Sequence, residues 1–110
     1  MAEHKGFPAK WFGAEYYAHI PIYDSGEYEF STASDDGSRL SVNGELVVDN
    51  WGLHGRREKT GTIALNKGYH DIKVEFFQNG GGANLTVKYK GADTGGNQKY
   101  LEGWYDPNRE

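Results

Sequence analysis

Residues 40–48, Leu40-Ser41-Val42-Asn43-Gly44-Glu45-Leu46-Val47-Val48, place an Asn-Gly pair between two short apolar runs. Asn and Gly tolerate the positive φ angles that a two-residue hairpin loop demands, so this stretch predicts two antiparallel strands joined by a tight turn. The same reading extends outward. On the N-terminal side, Tyr28 and Phe30 alternate with polar neighbours after a turn at Asp24-Ser25-Gly26, and Tyr16, Ala18, Ile20 and Ile22 alternate before it. On the C-terminal side, Ile63 and Leu65 precede a turn at Asn66-Lys67-Gly68, and Ile72, Val74 and Phe76 follow it. A triple glycine, Gly80 to Gly82, separates these from Leu85, Val87 and Tyr89. Lys99-Tyr100-Leu101 and Trp104-Tyr105 read as a last strand or a docked tail. A period of two recurs along the chain, with no helical stripe. The expectation is an all-β fold: a compact antiparallel β-barrel or sandwich of short strands, one domain over residues 1–110.

Composition sets further bounds. Aliphatic residues are few, and eight Tyr and three Trp supply the missing apolar area, which predicts a core rich in both. No apolar run is long enough to insert into a membrane as a helix. With 12 Lys and Arg against 16 Asp and Glu, and a net charge of −4, the chain carries no basic footprint for nucleic acid. The absence of cysteine removes disulfides, thiolate metal sites and cysteine nucleophiles. No charged-then-apolar leader follows Met1, and the expectation is a monomeric module of a longer extracellular or cell-surface chain.

Three segments carry candidate chemistry. Ser34-Asp35-Asp36-Gly37-Ser38 sets two adjacent carboxylates at a strand end. They read either as turn formers bonded to the local backbone or as oxygen ligands for a hard cation. Successive strand residues face opposite ways, so only a sharp bend or a cis peptide lets Asp35 and Asp36 share one ion. Asp49-Asn50-Trp51-Gly52-Leu53-His54 offers acceptors, donors and a flat ring, the composition a polyhydroxylated ligand needs; alternatively Trp51 plugs one end of the core. Gln78-Asn79-Gly80-Gly81-Gly82 supplies amide oxygens and bare carbonyls, or a positive-φ connection between strands. Scattered histidines and the lack of a glycine-flanked serine leave no catalytic constellation, and no enzyme activity is expected.

Taken in order, Trp11-Phe12-Gly13, Gly26-Glu27-Tyr28-Glu29-Phe30, the run from Ser34 to Gly52, Leu53-His54-Gly55, Gly68-Tyr69-His70-Asp71-Ile72-Lys73-Val74-Glu75-Phe76-Phe77 and the glycine-rich loop closing on Leu85-Thr86-Val87 resemble the protective-antigen 14-kDa domain family. Its members are compact β-barrels of bacterial toxins, glycosidases, adhesins and flocculation lectins. In its lectin-like members an aspartate pair holds a calcium ion that also takes two sugar hydroxyls. The resemblance implies that role for Asp35 and Asp36. It further implies Gln78, Gly80 and Gly82 as calcium ligands, and Asp49, Trp51, His54 and Asn79 beside a bound mono- or oligosaccharide. The function it implies is calcium-dependent (Ca2+) carbohydrate binding or adhesion. The alternative is a structural or regulatory spacer whose calcium only staples the loops.

Overall fold

The computed structural model describes residues 3–4, 14–35, 37–52, 57–76 and 84–101. Nine strands follow in chain order: β1 (Glu3–His4), β2 (Ala14–Ile22), β3 (Gly26–Asp35), β4 (Ser38–Val42), β5 (Glu45–Asn50), β6 (Arg57–Leu65), β7 (Gly68–Phe76), β8 (Asn84–Lys90) and β9 (Lys99–Tyr100). The first sheet runs β1-β8-β3-β6, with β9 also on β8; the second runs β2-β7-β4-β5. Every ladder is antiparallel except the short pairing of β1 with β8.

The alternating residues converge between the sheets. Tyr16, Ala18, Ile20 and Ile22 of β2 meet Ile72, Val74 and Phe76 of β7 and Leu40 and Val42 of β4, all buried. Tyr28 and Phe30 of β3, Leu85 and Val87 of β8, and Leu65 of β6 close over them from the first sheet. Among the described residues no ladder joins one sheet to the other, so the architecture is an open two-layer sandwich and the barrel form of the expectation is not adopted. The expected tryptophan core is also revised at Trp51, which is 40% exposed.

The hairpin forms as the Asn-Gly pair requires, with φ of 52° at Asn43 and 87° at Gly44. Asn43 then acts as an extra rung: its N–H donates to the Asp71 carbonyl at 2.8 Å, and its Oδ1 accepts the Asp71 N–H at 2.9 Å. The run Leu46-Val47-Val48 breaks strict alternation because Leu40 pairs with Val48 while Ser41 pairs with Leu46, leaving Val47 as the extra residue of a β-bulge. Leu46 is thereby 51% exposed and Val48 fully buried. The two sheets come close where β6 passes the bulge: a Cβ on Gly61 would collide with the Val47 carbonyl oxygen. Only glycine admits that approach.

At the opposite end of β3 the core is closed by Tyr28. Its hydroxyl donates to the Asp24 carbonyl at 2.6 Å and accepts the Asp93 N–H at 3.1 Å, and a side chain on Gly91 would collide with its ring. Gly91 leads into a 3-10 turn over Ala92–Thr94, where Thr94 Oγ1 accepts the Gly91 N–H at 3.0 Å. Burial pushes the Tyr28 hydroxyl above the ordinary phenol range; the Asp93 N–H opposes this, and the Asp93 and Asp24 charges reinforce it. Burial raises Tyr89 in the same way, with Asp93 adding to it.

Gly61→Ala is expected to lose about 1–3 kcal/mol in denaturant unfolding through overpacking. Gly26→Ala, whose added methyl meets only Ala92 Cβ at 3.5 Å, is expected to stay within about 0.5 kcal/mol of the parent. Because Tyr28 and Tyr89 hold their protons more tightly when folded, their stabilisation is complete below a phenol's usual value of about 10 and lost as pH rises beyond it. Melting temperature measured from neutral to strongly alkaline pH is expected to fall through that range, and a flat profile contradicts the assignment.

Candidate functional site at one end of the sandwich

The registers bring three chain connections to the same end. Ser38 of β4 lies opposite both Asn50 of β5 and Phe76 of β7, while Ser34 and Asp35 of β3 lie opposite Arg57 of β6 and Asn84 of β8. The segments β3–β4, β5–β6 and β7–β8 therefore all depart from this end, and every residue singled out for calcium or sugar lies in them or in the last two residues of the strands that lead into them. Asp35 ends β3, half-buried; Asp49 and Trp51 are exposed. Asp36, His54, Gln78, Asn79, Gly80 and Gly82 lie outside the described residues. Among the described residues no group of three or more His, Asp or Glu side chains is placed to hold a metal.

Beneath this end the apolar core gives way to a buried polar cluster. By strand alternation Thr32 and Ser34 of β3 share the inward phase of Tyr28 and Phe30, and Ser38 of β4 that of Leu40. Ser38 Oγ lies 2.7 Å from Ser34 Oγ and donates to Thr32 Oγ1 at 3.0 Å, so hydroxyls link the two sheets. Asn50, fully buried on the inward phase of β5, spans the same gap. Its Nδ2 donates to the Arg57 carbonyl at 2.8 Å and faces the Thr32 carbonyl at 3.3 Å, while its Oδ1 accepts from Arg57 Nε at 2.8 Å. Asn50 and Arg57 thus clasp each other across the segment that joins β5 to β6.

The clasp also fixes Trp51. Arg57 Nη2 donates to the Trp51 carbonyl at 3.3 Å, and the Trp51 N–H donates to Asp49 Oδ1 at 3.3 Å. The indole does not plug the core; it lies over the Arg39 guanidinium, whose Cζ is 4.0 Å from the ring centroid. Among the described residues Arg39 Nε is buried without a hydrogen-bond partner, but it forms an ion pair with Glu75 Oε1 at 3.6 Å. The ring adds a cation–π contact to that ion pair. Arg57 and Arg39 were given no functional role from the sequence, and Asn50 was read there as one polar group of the Asp49–His54 segment, not as a buried clasp. One signal was available: Asn50 follows Val48 by two, and so takes a core-facing position with a polar side chain.

Residues 3–103 match the family model of the PA14 domain. This chain belongs to the PA14 domain family. The domain is 36% identical over 72 residues to the anti-sigma-I factor RsgI3 of Acetivibrio thermocellus, a match over 64% of this chain and 10% of that protein. It thus spans about a tenth of the length of that curated relative. Among solved structures, an anti-sigma factor domain-containing protein from Clostridium clariflavum superposes with a TM-score of 0.74 at 25% identity, over 87% of this chain and 33% of that one. The PA14 sugar-binding domain from an RTX adhesin superposes with a TM-score of 0.65 at 26% identity, over 80% and 51%.

The clasp makes a stability prediction for this PA14 domain. Asn50→Ala removes the fully buried amide that meets Thr32 and the Arg57 carbonyl and Nε, and is expected to cost about 1–3 kcal/mol in denaturant unfolding. Asn50→Asp keeps the acceptor for Arg57 Nε but turns a carboxylate toward two carbonyls, and a loss is expected there too. A neutral result for both variants contradicts the clasp.

Proposed function

We propose that this PA14 domain is a calcium-dependent carbohydrate-binding module of a larger extracellular or cell-surface protein, acting by binding and not by catalysis. The observation that carries the reading is the convergence of three connections at one end, above the Asn50–Arg57 clasp. The donors proposed are the Asp35 and Asp36 carboxylates, the Gln78 amide oxygen and the carbonyls of Gly80 and Gly82. All are hard oxygens, the set calcium takes in irregular geometry. When bound, the ion offers coordination positions that vicinal sugar hydroxyls enter in place of water. Trp51, held by Arg39 and Arg57, presents an ordered ring to the sugar, and Asp49, His54 and Asn79 complete its surroundings. The similarity to a sugar-binding PA14 domain of an adhesin supports this reading.

A second reading has its own support in the similarity to an anti-sigma-I factor. There the domain is a regulatory or interaction unit, and calcium only staples loops. Glycan-array binding with calcium and with chelator separates the two. Chelator-sensitive binding to particular sugars is the expected outcome, together with a calcium-dependent rise in melting temperature that Asp35→Ala and Asp36→Ala each remove. A thermal shift without any sugar bound favours the regulatory unit. A shift that survives both substitutions overturns the metal site, because the remaining donors include no carboxylate pair.

A further inference from the structure

Two adjoining concavities among the described residues lie away from the end that carries the proposed calcium donors. One is an open furrow of about 500 Å3 on the outer face of the second sheet, walled by Tyr17, His19, Ser41, Asn43, Asp71 and Lys73. The other, about 280 Å3, lies between β2 and the β8–β9 side of the first sheet and is lined by His19, Tyr23, Tyr89, Asp93, Lys99 and Tyr100. His19 lines both. The two therefore adjoin around β2, with the histidine at their junction.

The register explains the first furrow. Tyr17 lies opposite Lys73 and His19 opposite Asp71, and Lys73 lies opposite Ser41 on its other side. The small Ser41 leaves a hollow beside longer side chains. His19 Nε2 and Asp71 Oδ1 are 2.7 Å apart, which orients the imidazole at the rim of both furrows. In the second furrow, Asp93 Oδ2 accepts the Tyr23 N–H at 2.9 Å, so the turn carrying Tyr23 is tied to the 3-10 turn across from it. Tyr23 is 67% exposed and Tyr100 46%. Lys88 Nζ stands 5.6 Å from the Tyr100 ring centroid.

The chemistry narrows the ligand. Each furrow holds one carboxylate and one ammonium, Asp71 with Lys73 and Asp93 with Lys99. With those charges balanced, neither a phosphate nor a polycation gains a net attraction. Hydroxyl, amide, imidazole and carboxylate groups instead line the furrows as a mixture of donors and acceptors. Tyrosine rings flank them as rigid apolar faces with a polar tip. Rings interleaved with mixed donors and acceptors suit a neutral polyhydroxylated chain. Open furrows that continue around β2 suit an extended ligand better than a single sugar. At about 3.3 Å per residue, His19 lies roughly 16 Å along β2 from the Ala14 end that borders the calcium loops.

We propose that the two furrows form one metal-independent binding surface for a neutral oligosaccharide chain, running from Tyr17 past His19 to Tyr23 and Tyr100. The surface uses none of the residues assigned to calcium, so it stands or falls separately from that reading. Its test is titration in excess chelator, with neutral gluco-, xylo-, manno- and galacto-oligosaccharides from single sugars to octasaccharides as probes. The intact chain is expected to bind at least one series, with affinity rising with chain length. His19→Ala and the double variant Tyr23→Ala/Tyr100→Ala are each expected to weaken that binding by about tenfold or more, whereas Asp35→Ala leaves it unchanged. Melting curves and calcium response of the variants confirm that they fold. The proposal is overturned by silence in chelator across all series, by binding that both variants retain, or by preference for acidic over neutral sugars. Loss of calcium-dependent sugar binding with retention of this binding would sink the other site alone.

Discussion

The arrangement at the end where β3, β5 and β7 finish depends on one side chain meeting two strands at once. Asn50 leaves β5, in the second sheet, and reaches the Thr32 carbonyl and the Arg57 backbone and guanidinium, all in the first. A buried amide has four hydrogen-bonding positions to satisfy, and leaving any unmet is costly away from water. Once its partners are in place, displacing any of them leaves unpaired groups in the interior. This end is therefore specified more sharply than apolar packing alone would achieve. Apolar side chains tolerate sliding; a clasp of this kind tolerates little.

That constraint also accounts for the position of Trp51. The residue directly follows Asn50, so fixing Asn50 fixes where the chain leaves β5. Arg57 then holds the Trp51 carbonyl, and Arg39 lies against the ring. An exposed indole would otherwise sample many orientations at an entropic cost on binding. Here its backbone is pinned on both sides by side chains that are themselves held in place. Contacts within the protein alone set the position of the ring.

The fold was legible from the sequence because its signals are local. The Asn43-Gly44 turn, and the alternation of Tyr16 to Ile22 and of Ile72 to Phe76, each need only a few neighbouring residues to be read, and all appear in the sandwich as expected. The bulge at Val47 was less legible: three consecutive apolar residues are compatible with one slip or none, and the close passage of β6 decides the matter. The choice between barrel and sandwich rested on whether the two sheets share a ladder, which no local pattern encodes. For the candidate site, proximity of Asp35, Asp49 and Trp51 at one end follows from strand lengths and turns. The clasp does not, because Asn50 and Thr32 are far apart in sequence and Arg57 reads there only as a surface charge.

The tyrosines show how one residue type serves two ends. Tyr16 and Tyr28 are fully buried and supply the area that the scarce aliphatic residues do not. Tyr28 can do so only because Asp24 and Asp93 give its hydroxyl partners. Tyr23, Tyr69 and Tyr100 are at least 46% exposed and contribute little to the core. Their rings cost solubility unless something covers or uses them, and two of the three border the furrow that Asp93 closes. Asp93 thus takes part in both roles: its backbone N–H seats the buried Tyr28, and its carboxylate seats the exposed Tyr23. A single acidic residue in a short 3-10 turn couples the closing of the core to the shape of the outer surface.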